Sequence, residues 1–85
     1  YRKAAVQGNE HGQLNLGVMF GFGQGVLRDY VTAYAWANIA AVNGNKTAPR
    51  FKSEFLENKM TPDQIYKAEE LAKEMVKKNP KLLKK

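Results

Sequence analysis

The chain has 85 residues, of which 44% are hydrophobic, and it contains no cysteine. This length allows one small domain, and the composition excludes disulfide bonds, thiolate metal sites and a cysteine nucleophile. The formal net charge is +6, but five lysines lie within residues 77–85 with no acidic residue among them, so the body of the chain is nearly neutral and does not favour a nucleic-acid-binding face.

An internal repeat organises the sequence. The string AAVQGN at residues 4–9 returns as AAVNGN at residues 40–45, 36 residues later. A period between about 20 and 50 residues is typical of stacked structural units that complete their cores by packing on one another. We therefore predict a repeat protein, and repeat proteins of this kind usually present a surface to a partner.

The first two predicted helices form a pair that follows an opening fragment at residues 1–7. Apolar residues at helical spacing predict a helix near residues 10–21, with Asn9 as its N-cap. A longer apolar stripe predicts a helix near 29–43, with Asp29 as its N-cap. Glycines follow both helices, as expected where a helix ends.

A second pair of helices follows. Phe51 and Phe55 are four residues apart and predict a helix near 48–58. The last helix begins after Thr61, because Thr61 and Gln64 have the spacing of a capping box and a proline takes the first helical position.

The exposed face of this last helix carries charges of both signs. Glu69 with Lys73 and Glu74 with Lys78 have the i, i+4 spacing of helical ion pairs. We expect the helix to end at Asn79, before a proline, and residues 80–85 to form a solvated basic tail.

Residues 9–44 carry a distinctive combination of small, aromatic and acidic residues: Leu16, Gly17, Phe20, Gly23, Gly25, Asp29, Tyr30, Ala33, Trp36, Ala40, Ala41 and Gly44. This combination resembles the Sel-one-like repeat (SLR), a relative of the tetratricopeptide repeat. The resemblance covers one whole unit, and residues 45–79 repeat its apolar positions but not its glycines.

The resemblance implies an all-α fold, a solenoid of helical hairpins that forms a tetratricopeptide-like α–α superhelix. It implies that residues 1–8 are the tail of a preceding repeat helix, 9–44 one repeat, 45–79 a divergent C-terminal capping hairpin, and 80–85 a basic tail. The chain is then expected to be part of a longer array. The family is common in bacterial envelope and secreted proteins, so the resemblance favours a periplasmic or secreted location.

No motif points to catalysis, a cofactor or a metal. The single histidine, His11, has no clustered ligand in the sequence, and Gly21, Gly23 and Gly25 lack the spacing of a dinucleotide-binding or P-loop motif. These glycines predict positive backbone φ angles and close approach in a turn between two helices. No apolar run reaches the roughly 20 residues that a membrane-spanning helix needs, so we expect no transmembrane segment.

A partner-binding face is expected on the first helices of the two units. By analogy with the tetratricopeptide pattern, Leu14, Val18 and Phe22 project towards the inner side of the superhelix, with His11 close by. In the second unit the corresponding polar residues are Arg50, Ser53 and Glu54. This interpretation predicts a non-enzymatic scaffold for a protein or peptide.

Two alternatives stay open. Leu14 or Val18 can instead pack against an upstream unit. The lysine-rich C-terminus can instead bind an anionic surface or nucleic acid, although the charge distribution makes nucleic acid the less favoured partner.

Overall fold

The computed structural model describes residues 2–84, and for Arg2 its backbone alone. Tyr1 and Lys85, which the sequence assigns to the opening fragment and the basic tail, lie outside the described residues. The described part contains no β-strand, and its α-helices are α1 (Arg2–Val6), α2 (Glu10–Phe22), α3 (Tyr30–Val42), α4 (Ala48–Phe51) and α5 (Pro62–Lys78). This helical-hairpin architecture confirms the predicted fold class.

Helices α2 and α3 form a tightly packed hairpin. A methyl group placed on Gly17 would lie 3.0 Å from the carbonyl oxygen of Ala33, so the glycine lets the two helices approach closely. In the connecting turn, Gly23 and Gly25 have φ angles of +69° and +73°, which glycine adopts without steric penalty. The predicted role of these two glycines is confirmed, while Gly21 lies inside α2 and provides close approach to α4.

Helix α4 differs from the regular helix expected near residues 48–58. It continues as a π-helical turn (Lys52–Leu56) and a 3₁₀ turn (Glu57–Lys59). The backbone N–H of Glu57 donates to the carbonyl of Lys52, and this wider turn directs both Phe55 and the following Leu56 inward. Packing of two adjacent apolar residues, of which Leu56 is fully buried, accounts for the irregular helix.

Helix α5 begins with the predicted capping box. The Thr61 hydroxyl accepts a hydrogen bond from the backbone N–H of Gln64 at 3.2 Å, and the Gln64 side chain accepts one from the N–H of Thr61 at 2.9 Å. The helix packs mainly against α3.

The prediction of one of the two ion pairs on α5 is wrong. Lys73 pairs with Glu70 at 3.3 Å rather than with Glu69, because i, i+3 neighbours are as close on a helix surface as i, i+4 neighbours. The Glu74–Lys78 pair forms at 3.9 Å. All four side chains are exposed, so these pairs add little stability.

The core consists of two apolar clusters. The first contains Leu16, Trp36 and Ile39 together with residues of α1 and α5, and the second contains Tyr34, Leu56 and Ala68. Phe20 packs against both clusters, and Trp36 is 7% exposed, so both aromatic residues pack inside the fold.

The C-terminal segment is not a solvated tail. Residues Pro80–Leu82 form a 3₁₀ turn, and the Leu82 side chain is 3% exposed within the first core cluster. The sequence interpretation counted lysines and overlooked this leucine, whose burial holds the segment against α1, α2 and α3. The side chains of Lys81 and Lys84 remain exposed.

Candidate partner-binding surface

One face of α2 carries four of the seven residues expected to contact a partner. His11, Leu14, Val18 and Phe22 lie on one stripe of this helix, because Leu14, Val18 and Phe22 follow at i, i+4 and i+8. His11 is exposed, Leu14 and Val18 are half-buried, and Phe22 is 50% exposed. At about 1.5 Å of rise per residue, the stripe is roughly 16 Å long.

The Phe22 end of this stripe continues into the second unit through three aromatic rings. The ring centroids of Phe22 and Phe55 are 4.6 Å apart, and those of Phe51 and Phe55 are 5.6 Å apart with nearly parallel planes. Phe51 and Phe55 are half-buried and pack against the second core cluster. We call Phe22, Phe51 and Phe55 the aromatic cluster.

A shallow groove of about 440 Å³ runs beside the aromatic cluster. Thr47, Arg50, Phe51, Glu54 and Phe55 line it. The Arg50 Nε and Glu54 Oε2 atoms are 3.5 Å apart at its edge, in a pair that is mostly exposed. The groove thus has an apolar floor and charges of both signs at its rim.

The structure brings some of the predicted partner-binding residues together. Phe22, Arg50 and Glu54 lie around the aromatic cluster and its groove, whereas His11 lies at the far end of the stripe. Ser53 is exposed on the π-helical turn and does not line the groove.

A larger concavity of about 560 Å³ lies between α3 and α5, and none of the predicted partner-binding residues lines it. Its apolar residues are Ile39, Val42, Ala72, Val76 and Leu83. Glu69 and Lys73 also line this groove.

Gln13 and Asn43 form a buried polar network that the sequence interpretation missed. Gln13 is fully buried, and its Nε2 donates to the carbonyls of Ala5 and Leu82 at 3.0 and 2.8 Å. The Asn43 Nδ2 donates to Gln13 Oε1 and to the Leu82 carbonyl, both at 2.8 Å. A glutamine within an apolar helical stripe was the available signal, because a buried amide needs partners.

Tyr34 has a clearly shifted pKa. Its phenol donates to Glu57 Oε2 at 2.9 Å, and its ring is 4% exposed. Burial, followed by the hydrogen bond to the Glu57 carboxylate and the charges of Glu57 and Glu69, raises the pKa of Tyr34 to about 12. Lys52 Nζ lies 5.2 Å from the centre of the same ring. Tyr34 therefore stays neutral and fixes the turn at Glu57 against α3.

Of the comparisons with known proteins, the one with solved structures found a similar fold. No family model matches the chain, and no curated protein matches it. Among solved structures, it is similar to a protective antigen present in uropathogenic Escherichia coli strains that displays an SLR fold, with a TM-score of 0.81 and 36% sequence identity. The superposition covers 95% of this chain and 18% of the antigen, so the chain spans about a fifth of that protein's length.

The chain has the Sel-one-like repeat fold.

The signature residues of the SLR unit have structural tasks here. Leu16, Ala33, Trp36 and Ala40 are buried, and the Asp29 side chain caps α3 by accepting from the N–H of Thr32 at 3.2 Å. Phe20, Tyr30 and Ala41 are half-buried, and Gly44 has a φ angle of +100° just after α3. The SLR signature residues therefore account for helix packing and turns.

Within residues 2–84 of this SLR chain, no group of three or more histidine, aspartate or glutamate side chains is arranged to hold a metal ion. In the same range, every helix is too short or too polar to cross a bilayer.

Proposed function

We propose that this chain is a non-enzymatic interaction module that binds a protein or peptide partner along the α2 stripe and the aromatic cluster. The observation that carries the proposal is Phe22, whose ring packs on Phe55 at a centroid distance of 4.6 Å while half of its surface stays exposed. A large apolar ring held in place by other rings loses little conformational entropy on binding, which favours its use as a contact residue.

The groove beside the aromatic cluster indicates which side chains of a partner would fit it. Its floor of Phe51 and Phe55 suits an apolar side chain, while Arg50 and Glu54 at the rim suit polar or charged neighbours of that side chain. Because these rim charges are 75% and 65% exposed, they contribute to partner choice and association rate more than to affinity.

Site-specific photo-crosslinking tests the surface. A photoreactive phenylalanine analogue replaces Phe22 in one version of the full chain and Tyr66 in a second version, since Tyr66 is an exposed aromatic residue on α5. We expect a crosslinked protein from a lysate of the source cells with the Phe22 version and not with the Tyr66 version.

The purified crosslinked protein then serves in a binding measurement. Substituting Leu14, Val18 and Phe22 together with serine should weaken binding at least tenfold while the helical circular dichroism is retained. Unchanged affinity of this variant would assign Leu14 and Val18 to packing against another unit and would refute the surface.

Salt dependence separates this proposal from binding through the C-terminal lysines. Apolar docking on the aromatic cluster should persist when the ionic strength rises, because burial of apolar surface is not screened. Affinity that falls steeply with salt and is unaffected by the Phe22 substitution would support the lysines as the binding element instead.

A further inference from the structure

We propose that the recess between the α1–α2 turn and the end of α3 is a second peptide-binding site, which residues 80–84 of the chain occupy as an intramolecular ligand. Its ligand is a short peptide segment with a leucine-like anchor, one extended residue after the anchor, and then a basic residue. The site is built from Gln13, Asn43 and Glu10 and is separate from the aromatic cluster, so it goes beyond the proposed function.

The first argument is the way in which Asn43 holds the backbone of the segment. Its Nδ2 donates to the carbonyl of Leu82 at 2.8 Å, and its Oδ1 accepts from the N–H of Lys84 at 2.7 Å. Leu83 between them has extended φ and ψ angles of −90° and 129°. One side-chain amide therefore bonds the carbonyl before an extended residue and the N–H after it, as a neighbouring strand would, and this pairing does not depend on the ligand's sequence.

The second argument is the alternation of side chains along the segment. Leu82 is 3% exposed in the core cluster of Ala5 and Trp36, Leu83 is 38% exposed, and Lys84 Nζ lies 3.4 Å from Glu10 Oε2. Because Leu83 between them is extended, Leu82 and Lys84 point to the same side of the segment, whereas Leu83 points away and lines the concavity between α3 and α5. The apolar recess and the Glu10 carboxylate thus define the preference for a leucine-like residue and a basic residue.

The third argument is the burial of the polar groups that line the recess. Gln13 and Asn43 are 0% and 8% exposed, and the Leu82 carbonyl accepts from both of them. With the segment in place, the Asn43 Oδ1 accepts from the N–H of Lys84, so the amide groups that face the segment are paired. The side chains of the recess thus match the hydrogen-bonding groups of a peptide backbone.

The fourth argument is that the occupant can leave without unfolding the rest. Within residues 80–84 a single side chain, that of Leu82, is buried, whereas the main clusters are built from α2, α3 and α5. Segments with few buried contacts open at lower free energy than the core. Another peptide of the same chemistry can then take the place of the segment.

The test uses the full chain with Leu82→Asp, which removes the anchor of the internal ligand, and a fluorescent capped peptide with the sequence of residues 79–84. We expect this variant to bind the peptide at least tenfold more tightly than the wild-type chain does, because the tethered segment competes at an effective concentration of the order of millimolar. A matched peptide whose lysine at the position of Lys84 is methylated on its backbone nitrogen keeps the basic side chain but lacks the N–H that donates to Asn43, and it should bind about tenfold more weakly.

Asn43→Ala in the Leu82→Asp chain should also weaken peptide binding about tenfold, whereas Phe22→Ser should leave it unchanged, which separates this site from the aromatic cluster. A folded Leu82→Asp chain that does not bind the peptide, or binding that is indifferent to Asn43→Ala, would overturn the proposal.

Native-state hydrogen exchange of the wild-type chain gives an independent readout that does not depend on the variant's folding. The Lys84 amide should exchange at least a hundredfold faster than the amide of Asn43, which donates within the end of α3 to the Ile39 carbonyl. Equal protection of the two amides would mean that the segment opens only when the whole fold opens, and the site would then have no exchangeable ligand.

Discussion

Asn9 and Asn45 occupy equivalent positions 36 residues apart and make the same hydrogen bond. The Asn9 Oδ1 accepts from the N–H of Gly12 at 2.9 Å, and the Asn45 Oδ1 accepts from the N–H of Ala48 at 2.8 Å. The backbone before them also repeats, since the N–H of Asn9 donates to Ala4 and that of Asn45 donates to Ala40. The sequence repeat is therefore a structural repeat of one helix end and the next helix start.

We expect Asn9→Ala to lower the free energy of unfolding by about 1 kcal/mol, because it removes the N-cap of α2. Asn9→Asp is the matched control, since it keeps the accepting oxygen and places a negative charge at a helix N-terminus, where such a charge is favourable. Urea denaturation measures both variants. An aspartate variant as unstable as the alanine variant would show that capping is not the cause.

Alanine substitutions at two glycines with positive φ distinguish the cost of backbone strain from the cost of a steric clash. Gly25 has a φ of +73° and no atom within 4 Å of the place where a methyl group would go, so Gly25→Ala should cost about 1 kcal/mol from strain alone. Gly8 has a φ of +92°, and the same methyl group would lie 2.9 Å from the Lys81 carbonyl oxygen.

Gly8→Ala should therefore lower the melting temperature more than Gly25→Ala does, and it should also increase hydrogen exchange at Lys84, because the C-terminal segment has to move away. Thermal unfolding and exchange measurements check the two parts. Equal losses of stability at the two sites would contradict the close contact at Gly8.

Tyr34 predicts a specific pH dependence of stability. Because its pKa is raised from 10.0 to about 12, the folded protein holds the phenol proton more tightly than the unfolded chain does. The resulting stabilisation is fully present below pH 10 and is lost as the pH rises towards 12. The difference in unfolding free energy between the wild type and Tyr34→Phe should shrink across this range.

Tyr66→Phe is the control for this prediction, because Tyr66 is 63% exposed and forms no part of the Tyr34–Glu57 contact. A phenolate absorbance titration of the folded protein should show one late-ionising tyrosine that disappears in Tyr34→Phe. A titration curve that keeps this late step in Tyr34→Phe would rule out the assignment.

Gln13 should be among the polar residues most sensitive to substitution. Gln13→Met keeps the length of the side chain but removes its hydrogen bonds to the Ala5 and Leu82 carbonyls and to the Asn43 amide. Buried polar groups that lose their partners cost about 1–3 kcal/mol each, so we expect a loss within or above that range. Gln24→Met, at an exposed position, should change stability by less than about 0.5 kcal/mol. Similar effects at the two sites would argue against the network.

Local signals in the sequence predicted the helices and their starts. Asn9, Asp29 and Thr61 each accept a hydrogen bond from an N–H three residues later, as their residue types and spacing indicated. The glycine turn after α2 was also predictable. Such features depend on residues within one or two helical turns, or on an apolar spacing that a single helix displays.

Contacts between distant residues were decided by the tertiary structure. The bond between Gln13 and Leu82 joins residues 69 positions apart, and no local pattern indicates that a lysine-rich end would bury a leucine. The π-helical turn at Lys52–Leu56 likewise follows from packing Phe55 and Leu56 against the first hairpin. The sequence by itself determined where the helices begin and which residues form the repeat, because capping and periodicity are local. Only the tertiary structure decided which polar side chains are buried and what they bind, because burial depends on segments that meet after the chain has folded.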